Sequence, residues 1–147
     1  MIAWGRFTAV GGEVVESRIH RILEEVRGAL ESTLTPAECR AVVLLGGYGR
    51  GEGGVDRRGT EERPHNNFDF LVILRGGDAA DAKRRVDEAL APLVARHGIG
   101  MDVGAITERA LERSPCLVMW YDMRFGHKTI LGDASYVPAL RQFSLDR

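Results

Sequence analysis

The sequence predicts an α/β (α+β) domain, with helices packed mainly on one face of a single small mixed β-sheet. Three observations carry this reading. Residues 13–31 repeat apolar side chains at helical spacing, and residues 41–45 and 68–74 are apolar runs of strand length. A second helical stretch, residues 79–96, then separates the second run from an alternating third one at 100–106.

The first helix is read from Val15, Ile19, Ile22, Leu23, Val26 and Leu30, which fall at three- and four-residue intervals. Glu16, Arg18, Glu24, Glu25 and Arg27 lie largely opposite them, as an amphipathic helix requires. Thr35-Pro36-Ala37-Glu38 has the form of a capping box, so one short turn is expected before the first strand. That strand, AVVLL, is apolar throughout and stops at Gly46-Gly47, the pattern of a strand buried on both faces.

Residues 46–66 are rich in glycine and charge and show no period, which predicts a loop of about 20 residues. In the second strand Phe70, Val72 and Leu74 point one way, while Asp69, Leu71 and Ile73 point the other. Asp69 is its one charge. Gly76-Gly77-Asp78 ends the strand and caps the second helix, whose stripe is Val86, Ala89, Leu90, Leu93 and Val94 and whose stop is Gly98. Pro92 inside this stretch is expected to kink it or split off its last turn.

Asp102 stands alone on one face of the third strand. A short helix over 108–113, another from Pro115 to Gly126, a short strand at 128–131 and a helical turn over 136–143 complete the expected order.

Length and composition bound the rest. At 147 residues the chain fits one domain, 1–147, with its motif core at about 41–133. Twenty basic and twenty-one acidic residues give a net charge of −1, which removes any global electrostatic case for a nucleic-acid partner. Cys39 and Cys116 form no CxxC pair, so neither a zinc site nor a disulfide framework is indicated. No charged leader precedes an apolar run, and no window reaches the ~20 apolar residues that span a bilayer. A soluble, cytoplasmic protein without membrane contact is expected.

Two features carry chemistry. The segment Gly46-Gly47-Tyr48-Gly49-Arg50-Gly51-Glu52 offers main-chain N–H groups unobstructed by side chains, as a triphosphate needs when it approaches the backbone. A plain turn between strands fits the glycines equally well. Neither the GxGxxG dinucleotide fingerprint nor a Walker Gly-Lys-Ser/Thr occurs, and Gly46-Gly47 is not followed by a clear helical signal. The second feature is the pair Asp69 and Asp102, two carboxylates read as buried on core strands, where a shared divalent ion would offset their cost. Hydrogen bonds or an arginine near a strand end would serve each of them as well.

Taken in order, GGYGRGE, NNFDF and an acidic residue one helix later resemble the nucleotidyltransferase superfamily that shares its core with DNA polymerase beta. This superfamily includes aminoglycoside nucleotidyltransferases and minimal nucleotidyltransferases paired with helical partner proteins. Its pattern is a strand ending in Gly-Ser or Gly-Gly, often continued as Arg-Gly-Glu, then Asp-x-Asp on the next strand and a third acid on a later one. Gly46, Gly47, Arg50, Gly51, Asp69 and Asp102 match in order, and MRFGHKTILGD resembles a downstream stretch ending in Gly132-Asp133.

The resemblance implies a nucleotidyltransferase fold and transfer of a nucleoside monophosphate from a nucleoside triphosphate to an acceptor, with release of pyrophosphate. It implies Mg2+ as cofactor, one or two ions, held by Asp69, Asp102 and position 67. Gly46, Gly47, Tyr48, Arg50 and Gly51 become the expected nucleotide-binding residues. The acceptor is left open among small molecule, nucleic acid and protein, and a homodimer or a helical partner protein would supply its surface. Trp120, Tyr121 and Phe125 would line that surface or pack in the core.

The chain departs from the pattern twice. An Arg- and Glu-rich stretch around 55–63 lengthens the loop, either as an acceptor-binding element or as a surface insertion. The first acid of the Asp-x-Asp pair is Asn67, which offers a carbonyl oxygen but no charge. An impaired transferase with Asn67 as a neutral ligand, a catalytically inactive nucleotide-binding or protein-interaction module of the same fold, and a catalytic aspartate replaced by asparagine in this particular chain are the three readings this leaves. His65 and Asn66 flank the site.

Overall fold

The computed structural model describes residues 2–59, 61–114, 123 and 126–140. Helix α1 (Glu13–Thr33) leads to β1 (Cys39–Leu45), then a short α2 (Gly46–Arg50), a hairpin of β2 (Val55–Arg58) and β3 (Glu61–Pro64), and β4 (Phe68–Leu74). Helix α3 (Ala79–His97), β5 (Met101–Thr107), α4 (Glu108–Arg113) and β6 (Lys128–Gly132) follow. The expected helix from Pro115 to Gly126, with Cys116, Trp120, Tyr121 and Phe125, falls largely outside the described residues, as does the chain beyond Leu140.

The sheet is mixed, as expected, with strand order β5-β4-β1-β6. Strand β1 runs antiparallel to β4 and β6, and β4 runs parallel to β5. The parallel pair demands a crossover, and α3 provides it. Period-two alternation then divides the side chains between two faces. Val42, Leu44, Phe70, Val72 and Leu74 meet the buried stripes of α1 and α3, including Ile19, Leu23, Val26, Val86 and Leu90, in the larger core. Val43 and Ile73 face the other way into a smaller cluster with Leu111, Met123, Val137 and Leu140. Helices therefore pack mainly, though not solely, on one face.

Helix α3 starts at Asp78, whose carboxylate accepts from the N–H groups of Ala80 (2.9 Å) and Asp81 (3.2 Å), the N-cap its sequence signals. It runs through Pro92 to His97 as one element, so its last turn is not split off. Proline removes one N–H and crowds one turn, and the buried stripe of Ala82, Val86, Leu90 and Leu93 extends across that point.

The 20-residue loop expected at 46–66 is the larger correction. One helical turn follows β1 directly, and the charged stretch after it is a two-stranded hairpin. Arg57 lies opposite Glu62 in the ladder, and Arg57 Nε donates to Glu62 Oε2 at 3.0 Å. Cross-strand charge complementarity holds this hairpin, so an apolar period was the wrong signal for it.

The capping box forms over the short turn expected before β1. Thr35 N–H donates to Glu38 Oε2 at 2.8 Å, and Glu38 N–H donates to Thr35 Oγ1 at 3.2 Å. The same carboxylate takes Arg85 Nη2 at 2.5 Å, which ties the entry of β1 to α3. The Arg85 hydrogen bond, aided by the Thr35 N–H, holds Glu38 at about 2 against an ordinary 4.5. A depressed carboxyl contributes stability above its unfolded value and loses it as pH falls toward the folded value. Melting temperature should therefore fall between pH 4.5 and about 2, and Glu38→Gln should flatten that part of the profile. An unchanged acid slope in the variant would remove this pair from the acid response.

Candidate functional site

The site lies where β1 ends and β4 and β5 begin. Leu45 is paired with Asp69, and Asp69 with Asp102, so register alone sets the two carboxylates side by side on neighbouring strands. They share the face of Leu71 and Ile73, whose apolar cluster takes in Leu45 and Leu71 and stops short of them. Both aspartates are exposed. The expectation of two buried carboxylates is corrected here, because alternation places them on a face but their position at the strand ends leaves them at its open rim.

Partial burial pushes the Asp69 carboxyl up, and the neighbouring charge of Asp102 and a hydrogen bond with it push it further. The Arg50 guanidinium acts in the opposite direction. Two like charges held this close are a site short of positive charge.

Gly46 makes the approach possible. Its φ of +68° is left-handed, and a Cβ there would lie 2.4 Å from Asp69 Oδ2. A side chain there would have to displace the carboxylate. The chain then enters α2 at once, which corrects the expectation that no helix follows Gly46-Gly47. The first N–H groups of such a turn lack partners within it. Arg50 closes α2, with its Nε donating to Glu52 Oε2 at 3.3 Å, and Gly51 caps it in the left-handed region.

Tyr48 sits elsewhere than a ligand-facing residue would. Its ring is 1% exposed and stacks edge-on against Phe68 at 5.0 Å. Its hydroxyl donates to the Gly54 carbonyl (2.9 Å) and accepts from Asn66 N–H (2.9 Å). Asn66 Oδ1 in turn accepts from Gly54 N–H at 2.7 Å. The tyrosine thus pins the base of the hairpin to the strand that carries Asp69, and only its main chain is left to face a ligand.

Tyr48→Phe should leave a carbonyl and an N–H without this partner and cost about 1–3 kcal/mol in chemical denaturation. A loss under a few tenths would show that other groups hold the hairpin.

Sequence reasoning missed how the amino-terminal segment seals this loop. Gly53 N–H donates to the Phe7 carbonyl at 2.9 Å, and Thr8 bridges Gly53 in parallel. The Glu16 carboxylate accepts from Phe7 N–H (2.8 Å), Thr8 N–H (3.1 Å) and the Thr8 hydroxyl (2.9 Å), fastening the segment to α1. Nothing in the local sequence marks these long-range contacts, although a lone tyrosine among glycines was a signal for an anchor.

Asn67 immediately precedes β4, next to Asp102. Its amide nitrogen donates to Asp102 Oδ2 at 3.4 Å. Its amide lies over Gly100, where a Cβ would meet Oδ1 at 2.5 Å and Nδ2 at 2.9 Å. Asp69 and Asp102 are the carboxylates present that would hold a divalent cation. Two carboxylates with substrate oxygens suffice for one Mg2+, whereas among the described residues no group of three or more His, Cys, Asp or Glu gathers to hold a metal. No helix among the described residues is long and apolar enough to cross a membrane.

No family profile matches the chain, and no curated protein sequence matches it. Solved structures similar to it include the following three. A tri-AMPylated Shewanella oneidensis HEPN toxin in complex with MNT antitoxin aligns over 80% of this chain and 75% of that one, at 12% identity and a TM-score of 0.48. A toxin-antitoxin with AMP-PNP aligns over 79% and 77%, at 14% identity and 0.49. The toxin-antitoxin MntA-HepT aligns over 81% and 77%, at 11% identity and 0.48. Likeness at this level assigns no residue a role. The chain itself has a small four-stranded mixed sheet, with Asp69, Asp102 and the Gly46 turn gathered at one end of it.

Proposed function

We propose that this domain binds a nucleoside triphosphate together with one Mg2+ and transfers its nucleoside monophosphate to an acceptor, releasing pyrophosphate. The observation that carries the reading is the in-register pair Asp69 and Asp102 set against Gly46, whose missing side chain leaves the carboxylate in contact with the turn. Asp69 and Asp102 would hold the ion, which when bound neutralises charge on the triphosphate.

The protein's own part is positioning. Gly46 and Gly47 let phosphate oxygens reach main-chain N–H groups at the start of α2 without a Cβ in the way. Arg50 and Gly51 end the same turn, and Arg50 brings positive charge close enough to act on Asp69. Tyr48 acts through the hairpin it pins. In the transfer an acceptor oxygen bonds to the α-phosphorus as the bond to the bridging oxygen breaks. Fixed donors around the phosphates favour that charge redistribution because they need not reorient.

Titration calorimetry with ATP, GTP, CTP and UTP in the presence of Mg2+ tests binding. We expect at least one to bind, and no binding to any would overturn the reading. Pyrophosphate release, followed with small-molecule, nucleic-acid and protein acceptors, tests transfer. A second reading, a nucleotide-binding module without transfer, is favoured by one observation, the neutral Asn67 at the first acid position. Binding without pyrophosphate release from any acceptor would select it.

A further inference from the structure

The role of Asn67 follows from which of its atoms meets Asp102. An amide offered as a metal ligand would present its carbonyl oxygen to the ion shared by the carboxylates. Here the nitrogen faces Asp102 Oδ2, at 3.4 Å, and the amide as a whole lies over Gly100. Gly100 has no side chain to displace it, since a Cβ there would lie 2.5 Å from Oδ1 and 2.9 Å from Nδ2. The backbone beneath is fixed as well, with Phe68 N–H donating to the Gly100 carbonyl at 2.9 Å.

We propose that Asn67 is a positioning residue whose amide N–H takes the place of a second cation at Asp102, so that the site is built for a single divalent ion. This rests on the metal-nucleotide reading of the same site. An N–H donor stabilises a carboxylate where a metal otherwise would, and it holds that carboxylate in place before any ion arrives. A carboxylate at position 67 would do the reverse. It would withdraw the donor and set a third negative charge beside Asp69 and Asp102, a set that two divalent ions would balance.

The test counts Mn2+ ions bound per chain by electron paramagnetic resonance, with Mn2+ alone and with ATP added, in the full chain and in Asn67→Asp and Asn67→Ala. Native protein should bind one ion, and Asn67→Asp should bind two. Asn67→Ala should still bind one, about tenfold more weakly, because Asp102 has lost the donor that orients it. Two ions on the native chain, or one on Asn67→Asp, would overturn the inference while leaving the metal-nucleotide reading intact. Unchanged affinity in Asn67→Ala would overturn the positioning role by itself, and that variant still decides the matter if Asn67→Asp fails to fold. No ion on the native chain in either condition would overturn the metal reading, and this inference with it.

Discussion

Asp69→Asn is expected to abolish Mg2+-dependent nucleotide binding while leaving a folded chain. The exposure of the side chain separates this outcome from a structural one. A buried aspartate with satisfied partners would unfold the protein on replacement, because its partners would lose their acceptor in a place that water cannot reach. Asp69 is exposed, and the groups acting on it most strongly are its own partial burial and the like charge of Asp102. Removing its charge relieves that repulsion, so the stability of the ligand-free protein should stay level or rise slightly at neutral pH.

What disappears is the gain from ligand. A site filled at a hundred times its dissociation constant stabilises the native state by about 2.7 kcal/mol, which thermal melting reads easily. Native protein should melt higher with Mg2+ and nucleotide together, and Asp69→Asn should not. A variant that keeps the full ligand-dependent shift would remove Asp69 from the site. One that unfolds would restore the reading in which Asp69 is structural.

That Asp69 and Asp102 meet was legible in the sequence, but that they meet at an open rim was not. Period-two alternation put Asp69 on the face of Leu71 and Ile73, and the structure agrees. Alternation carries no information on where along a strand the packing stops, and the cover over that face comes from Leu111, Met123, Val137 and Leu140, far along the chain. The βαβ unit was readable for the opposite reason. Asp78, the apolar stripe of α3 and the flanking apolar strands are all local signals.

The hairpin between Val55 and Pro64 escaped because its strands hold each other by paired charges such as Arg57 and Glu62, which in one dimension look like any solvated loop. Tyr48 was read as a loop residue, whereas it lies in α2, and its hydroxyl partners, Gly54 and Asn66, are fixed only by the folded chain. The identity of Asn67 could be read directly; which end of its amide faces Asp102 is a matter of three dimensions.

Gly46→Ala is expected to remove nucleotide binding by a route independent of charge, and a second glycine makes the cause separable. Gly46 has φ +68° and Gly59, at the tip of the hairpin, has φ +67°. Alanine at either position meets the same left-handed backbone penalty, about 1–2 kcal/mol. Around Gly59 nothing lies within 4 Å of an added Cβ, whereas at Gly46 that atom would lie 2.4 Å from Asp69 Oδ2.

The obstruction at Gly46 is the end of a side chain, not backbone, so the carboxylate can swing aside and the protein should still fold. In swinging it leaves its place beside Asp102, and the site loses its geometry. Melting temperature should therefore fall by a similar amount in Gly46→Ala and Gly59→Ala, while calorimetry with Mg2+ and nucleotide should show binding lost in the first and kept in the second. Equal binding in both would mean that Gly46 serves the turn alone. Loss in both would implicate the hairpin tip in the site, a result that the open space around Gly59 argues against.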